Sequence, residues 1–357
     1  MNRGLKMKIL HCADIHLGSK MEAKLPKEKS DVRKTEVRGA FNRAVEYAQR
    51  HGIKVILLCG DVFDSDRPLK KDKDFFYSVV KNNSDIDFLY LRGNHDTLES
   101  YTESGLENLK TVSTAWTSYE YGDVCITGVE SAEENSVAMY SSLNLDKTKK
   151  NIVMLHGQIG DTSGKDKINL NKLRNKNIDY LALGHIHYFN GGKLDERGKY
   201  VYPGCLEGRG FDEAGEKGFV IIDTDCFSYD FVGNSCRMIR EENVDISGAA
   251  DAYSSYKIIK NIVNCPSKDI LRVNLTGEVS FDGDGLEREL EELLSGDYYF
   301  ISVKNKTSRR FSAEELAGDI SLKGEFIRTV LKSDYPEDEK NKIISVGLRA
   351  LSGREVE

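Results

Sequence analysis

The chain has 357 residues, of which 39% are hydrophobic and 31% are charged. This composition is typical of a globular protein with two domains, and it excludes fibrous and wholly disordered chains. No apolar stretch reaches the roughly 18 residues of a membrane-spanning helix, so we expect no membrane association. The formal net charge is −7, which argues against a protein that binds nucleic acid by bulk charge.

The distribution of charges and cysteines indicates how the protein could contact nucleic acid and in which compartment it is expected. Residues 241–357 carry 16 basic and 23 acidic side chains, whereas residues 1–240 carry 35 of each. Any contact with nucleic acid is therefore expected to be local or assisted by cations. The seven cysteines are scattered without a CxxC pair, which argues against a disulfide framework and a zinc ribbon. The opening residues lack the apolar stretch of a secretory signal, so we expect a cytoplasmic protein.

Short apolar runs alternate with helical patterns through the first 240 residues. The runs are expected to be strands buried on both faces, because they lack the polar alternation of a half-exposed strand. Apolar residues recur at helical spacing over 37–48, with Gly52 as the stop, and a second helix is predicted over 70–83. The predicted strands are 8–12, 55–59, 88–91, 124–129, 152–155, 180–183, 200–202, 219–222 and 229–232, and the segments 133–150 and 157–177 are predicted to be loops and short helices.

The strand pattern stops near residue 240, where we place a domain boundary. Residues 1–240 would form the catalytic domain, and residues 241–357 a small α+β domain. Strands are predicted in this second domain over 269–279 and 298–303. Helices are predicted over 286–294, 323–333 and 339–351.

Five short polar motifs stand at the carboxyl ends of predicted strands. They contain five of the seven histidines in the chain. Because ligand clefts of open α/β sheets form outside the carboxyl ends of the strands, we expect these side chains to meet. The motifs are Asp14-Ile15-His16, Gly60-Asp61-Val62-Phe63-Asp64, Gly93-Asn94-His95-Asp96, His156-Gly157 and Gly184-His185-Ile186-His187.

These residue types are suited to divalent transition metals, which imidazole and hard oxygen ligands hold. The Asp-x-His and His-x-His spacings put two ligands on the same side of an extended strand end. Two metal ions about 3.5–4 Å apart need a bridging carboxylate, and Asp61 lies in the middle of the set. The pattern therefore predicts a two-metal site. His11 and His51 lie outside the motifs, and we expect them to be structural.

The series DxH, GDxxD, GNHD, H and GHxH resembles the signature of the calcineurin-like metallophosphoesterases. The resemblance covers residues 7 to about 225 and implies an α/β fold, a double-β sandwich flanked by helices. It also implies that His95 protonates the leaving group of a phosphoester and that Asp96 orients His95. The implied ligands are Asp14, His16, Asp61 and His187 for the first metal, and Asp61, Asn94, His156 and His185 for the second.

Within this family the chain resembles the SbcD-type DNA-repair nucleases. Residues 8–18, the GDxFD form of the second motif and residues 202–219 carry this likeness, although residues 205–210 are more similar to a shorter, YhaO-like branch of repair exonucleases. The resemblance implies a DNA substrate, a homodimer, an SbcC-like ATPase partner and a capping role for residues 241–357. Manganese is the expected metal, with iron and zinc as alternatives.

Two other functions stay open on the sequence. A phosphodiesterase or phosphatase for a small nucleotide would use the same ligands. A DNA-end-binding scaffold with a structural metal site would bind DNA without cutting it. Arg209 follows the last ligands closely, and it is either a phosphate contact or a structural residue.

Overall fold

The computed structural model describes residues 7–21, 25–96, 105–130, 137–161, 164, 166–281, 283–309 and 320–351. The chain divides into two compact units, Met1–Met238 and Ile239–Glu357. The predicted boundary after residue 240 thus falls inside the first strand of the second unit. Within the described ranges, no helix combines the length and the apolar content needed to cross a bilayer.

The first unit contains two six-stranded sheets, and the first sheet is parallel at its centre and on one side. Two strands added on the other side are antiparallel. All five side chains of the second strand in the chain are buried, as expected for a strand covered on both faces. In spatial order the strands are β14 (Ser228–Gly233), β13 (Gly218–Asp223), β1 (Lys8–Cys12), β2 (Val55–Cys59), β3 (Asp87–Leu91) and β4 (Leu109–Thr111).

The second sheet has a similar plan, with four parallel strands between two antiparallel edges. Its edge strands were not predicted, because Thr117–Tyr121 is polar and partly exposed and Asn190–Lys193 is short and glycine-containing. In spatial order the strands are β11 (Asn190–Lys193), β12 (Lys199–Tyr202), β10 (Tyr180–Gly184), β7 (Lys150–His156), β6 (Val124–Gly128) and β5 (Thr117–Tyr121).

Apolar side chains of both sheets form the core between them, with Leu57 from the first sheet and Met154 from the second among the fully buried residues. The outer face of the first sheet is covered by α1 (Lys27–Arg50) and α2 (Lys70–Asn82), which bury Phe41 and Phe76 against it. The second sheet is flanked by α3 (Val137–Ser142) and by a short pairing of β8 (Gln158–Ile159) with β9 (Lys167–Ile168). The predicted fold class, an α/β double sandwich with flanking helices, is confirmed.

The second unit is built on a parallel three-stranded sheet of β15 (Ile239–Asp245), β16 (Ile270–Thr276) and β18 (Phe300–Asn305). One apolar core joins this sheet to α4 (Ala252–Ile262) and α5 (Leu286–Leu294). The sequence did not predict β15, because its middle is a run of exposed polar residues. The described part of this unit also contains β17 (Glu278–Val279), β19 (Ser308–Arg309), α6 (Leu322–Leu331) and α7 (Glu337–Leu351), and the two helices pack together.

Candidate metal centre

Six of the predicted ligands form two groups of donor atoms in the first unit. The donor atoms of Asp14, His16 and His187 all lie within 4.8 Å of one another. Those of Asp61, His156 and His185 do the same. Each group has two buried members and one half-buried member, so each is only partly open to solvent.

Asp61 belongs to the second group and also lies close to the first. Its Oδ2 atom is 3.9 Å from His16 Nε2 in the first group and 3.4 Å from His156 Nε2 in the second. Its Oδ1 atom accepts a hydrogen bond of 2.9 Å from the backbone N–H of His95. This is the position that a carboxylate bridging two metal ions requires.

Asn94 completes the second group. Its Oδ1 atom lies 3.0 Å from His156 Nε2 and 3.1 Å from His185 Nδ1. The structure therefore brings together all seven predicted ligands. Three lie in the first group, Asn94 joins two histidines in the second, and Asp61 is placed to serve both.

The donor atoms converge as they would around cations. His16 Nε2 and His187 Nε2 are only 3.2 Å apart. A carboxylate oxygen lies beside the Nδ1 atom of each ring, at 3.0 Å for Asp64 and 2.7 Å for Glu213. With these carboxylates on their Nδ1 sides, both rings turn their Nε2 atoms toward the same point. Two imidazole nitrogens at this distance share either a proton or a cation, and these residues fit the expected metal ion.

His156 in the second group is held differently, by a backbone carbonyl. Its Nδ1 atom donates to the oxygen of Cys59 at 2.9 Å. Sequence reasoning missed this contact and the carboxylates of Asp64 and Glu213. Only Asp64 carried a signal, as the second aspartate of the GDxxD motif.

Four ligands adopt an unusual backbone conformation. The φ angles of Asp14, His16 and Asp61 are +51°, +51° and +50°, and that of His185 is +103°. Residues other than glycine rarely adopt positive φ, and strained positions of this kind cluster at functional sites. The backbone packs tightly around Asp61, because a Cβ atom on Gly93 would lie 2.2 Å from Asp61 Oδ1.

Burial and neighbouring charges shift the ionisation of the ligands. Burial raises the pKa of Asp14 to about 7 and lowers the pKa of His16 to about 4. Burial also disfavours the Asp61 carboxylate, but His156 and His16 hold its pKa well below its usual range. Burial disfavours a charged His156 as well, yet the carboxylates of Asp61 and Asp14 raise its pKa to about 9. A metal ion at His156 therefore displaces a proton.

His95 and Asp96 occupy different surroundings. The His95 side chain is exposed, and its ring centroid lies 5.3 Å from that of His16. The buried Asp96 carboxylate instead accepts hydrogen bonds from the backbone N–H groups of Val62, Phe63 and Gly93 at 3.2, 2.9 and 3.1 Å. These hydrogen bonds join the loops that carry Asp61 and Asn94, and the orientation of the His95 imidazole by Asp96 stays a prediction.

Comparison with known proteins identifies the family. The sequence model of the calcineurin-like phosphoesterases matches residues 7–189, which include both groups of ligands. The chain belongs to this family. Membership supports a dimetal site and phosphoester chemistry.

Three relatives indicate which branch of the family the chain is similar to. The DNA double-strand break repair protein Mre11 of Sulfolobus acidocaldarius is 26% identical over 371 residues, which cover 97% of this chain and 91% of that protein. The uncharacterized metallophosphoesterase YhaO of Bacillus subtilis is 25% identical over 273 residues, or 71% of this chain and 66% of that protein. The SbcD component of the nuclease SbcCD of Escherichia coli is 31% identical over 100 residues, or 28% of this chain and 23% of that protein. The resemblance to the SbcD-like branch is confirmed.

Proposed function

We propose that this chain is a metal-dependent nuclease that hydrolyses phosphodiester bonds in DNA as an exonuclease. The observation that carries the proposal is the pair of neighbouring donor groups that Asp61 connects, with an exposed histidine beside them. Relatives named for DNA break repair and for a nuclease support DNA as the substrate.

The residues would hold two divalent cations in the predicted assignment. Asp14, His16 and His187 would bind the first and Asn94, His156 and His185 the second, with Asp61 on both. When bound, the two ions lower the pKa of a water molecule and offset the charge of the phosphoryl oxygens. Oxygen and imidazole donors without a thiolate favour manganese, with iron or zinc as alternatives.

His95 would act as the general acid. Its side chain is exposed beside His16, so its ring can meet a substrate on the open side of the centre. A proton given to the leaving oxygen is worth about 10²–10⁴-fold in rate. The hydrogen bond from its backbone N–H to Asp61 would hold His95 at a fixed position relative to the ligands.

The proposal includes the partners that the resemblance to the SbcD-type nucleases implies. An SbcC-like ATPase and a homodimer would present the DNA end, and the second unit would have a capping role. We expect the protein in the cytoplasm. Since the chain has a net charge of −7, DNA binding would depend on the cations and on local contacts.

The proposal is tested by comparing the wild type with His95→Asn in the presence of manganese. Each is incubated with single- and double-stranded DNA labelled at the 5′ or the 3′ end, and His51→Asn serves as the control because His51 is exposed and outside the ligand set. We expect progressive shortening by the wild type and the control. We expect a loss of at least about 10²-fold in His95→Asn with unchanged manganese content.

Two outcomes contradict the proposal. Intact DNA alongside hydrolysis of bis(p-nitrophenyl) phosphate indicates a small-nucleotide phosphodiesterase. DNA affinity that is the same in the wild type and His95→Asn, without turnover by either, indicates an end-binding scaffold.

A further inference from the structure

A set of ion pairs, here called the ion-pair bridge, connects the two histidines of the first group on the side of their Nδ1 atoms. At its centre is Arg209, whose side chain is 14% exposed. Its Nη1 atom donates to Asp64 Oδ1 at 2.6 Å, and its Nη2 and Nε atoms donate to Glu213 Oε1 at 2.5 and 3.0 Å. Asp64 and Glu213 are the carboxylates that face Nδ1 of His16 and His187. One guanidinium thus holds both carboxylates that orient these ligands.

The guanidinium in this bridge offsets the repulsion between two carboxylates beside the first group. The side chains of Asp64 and Glu213 are 23% and 2% exposed, and both carboxylates contact the same guanidinium, so two negative charges lie near each other in a partly buried place. Without a cation they would repel each other, and each could turn toward a metal ion instead of toward its histidine. The planar guanidinium serves both at once, because its donors form a rigid fork that a lysine lacks.

These contacts support the first group and not the second. Arg209 Nη2 also lies 3.3 Å from His187 Nδ1. In the second group, the Nδ1 atom of His156 faces the carbonyl of Cys59, and His185 Nδ1 faces Asn94. Replacement of Arg209 is therefore expected to disturb the orientation of His16 and His187 and to leave His156 and His185 in place.

We propose that Arg209 is a positioning residue for the first metal site: it fixes Asp64 and Glu213 so that His16 and His187 present Nε2 to the metal ion. Its backbone N–H also donates to Glu213, at 2.6 Å to Oε2, so both its main chain and its side chain are anchored to these carboxylates. This geometry favours a structural role of Arg209 over a contact with substrate phosphate. The inference rests on the proposed metal centre but not on the identity of the substrate.

The experiment measures manganese binding to the full-length chain by titration calorimetry, without any substrate. Arg209→Gln is placed in two backgrounds: His185→Asn, which leaves the first site as the intact one, and His187→Asn, which leaves the second. We expect manganese affinity to fall about 10–100-fold in the first background and to be unchanged in the second. Arg209→Lys should behave like Arg209→Gln, because one ammonium cannot serve both carboxylates.

A matched control separates this role from general stability. Arg43 also pairs with a buried carboxylate of the same segment, Glu207, at 3.3 Å. Arg43→Gln should leave manganese affinity unchanged in both backgrounds, whatever its effect on the melting temperature in EDTA. Equal affinity losses in the two backgrounds, no loss in either, or wild-type affinity of Arg209→Lys at the first site would each overturn the proposal. A chain that binds manganese as expected but leaves DNA intact would refute only the nuclease.

Discussion

Replacement of Asp96 by asparagine distinguishes the two roles that the sequence and the structure assign to this residue. Its Oδ2 atom accepts the N–H groups of Val62 and Gly93, and its Oδ1 atom accepts that of Phe63. An asparagine can keep the first two bonds with its oxygen, but its NH2 group then faces the N–H of Phe63. One charge-assisted bond is lost and one buried donor is left unpaired, which together cost about 2–3 kcal/mol.

The functional consequence follows from where those N–H groups lie. They belong to the loops that carry Asp61 and Asn94, so Asp96→Asn should weaken manganese binding at both sites, by about 10–100-fold. The free energy of unfolding is measured by urea denaturation in EDTA, and manganese affinity by titration calorimetry. Turnover of a model phosphodiester is followed at saturating manganese.

Asp195 provides the matched control. Its carboxylate also accepts three backbone N–H groups, from Asn175, Arg197 and Gly198 at 2.7–2.8 Å. Asp195 is half-buried, so Asp195→Asn should cost less free energy of unfolding than Asp96→Asn, and it should leave manganese affinity unchanged. If Asp96→Asn instead lowers turnover while both manganese affinities stay at the wild-type value, Asp96 acts through the His95 imidazole and the structural interpretation is wrong.

Three further changes test the centre and its support. Asp61→Asn should weaken both manganese sites by more than about 100-fold, because it removes the carboxylate between them, whereas loss of an outer partner alone costs about 10–100-fold. Gly93→Ala should cost about 1–3 kcal/mol or more and lower manganese affinity, because the new Cβ would lie 2.2 Å from Asp61 Oδ1; titration and urea denaturation measure the two effects. Burial lowers the pKa of His11 to about 3, so below its unfolded pKa of about 6.5 only the unfolded chain takes up this proton. The free energy of unfolding in EDTA should then fall by up to ~1.4 kcal/mol per pH unit from about pH 6 toward pH 4 through this residue, and the slope should be shallower in His11→Gln.

Each of these expectations has a result that contradicts it. Asp61→Asn that retains one site at wild-type affinity would show that Asp61 serves a single metal. Gly248→Ala is the control for Gly93→Ala, because nothing lies within 4 Å of its added Cβ, and equal effects of the two would refute the steric argument. An identical pH slope in the wild type and His11→Gln would show that His11 does not contribute to acid sensitivity.

The sequence by itself was sufficient to predict the sandwich and the side chains that meet in the candidate metal centre. The central strands are buried on both faces, so their apolar runs are continuous and easily recognised. The carboxyl ends of parallel strands meet at one edge, which explains why motifs far apart in the chain meet in space. Elements without such patterns were missed: β15 is largely exposed, and β11 has two glycines among its four residues.

The tertiary structure decided how the ligands are held. Asp96 is next to His95 in the chain, yet its carboxylate points to backbone N–H groups of two loops. Glu213 and Arg209 lie in a segment without a metal-binding pattern, and only folding brings them behind His16 and His187. Spacing along a strand predicts which side chains share an edge, because the backbone geometry is regular. The direction of a carboxylate in a loop depends on which donors the rest of the fold leaves unpaired, and local sequence does not contain that information.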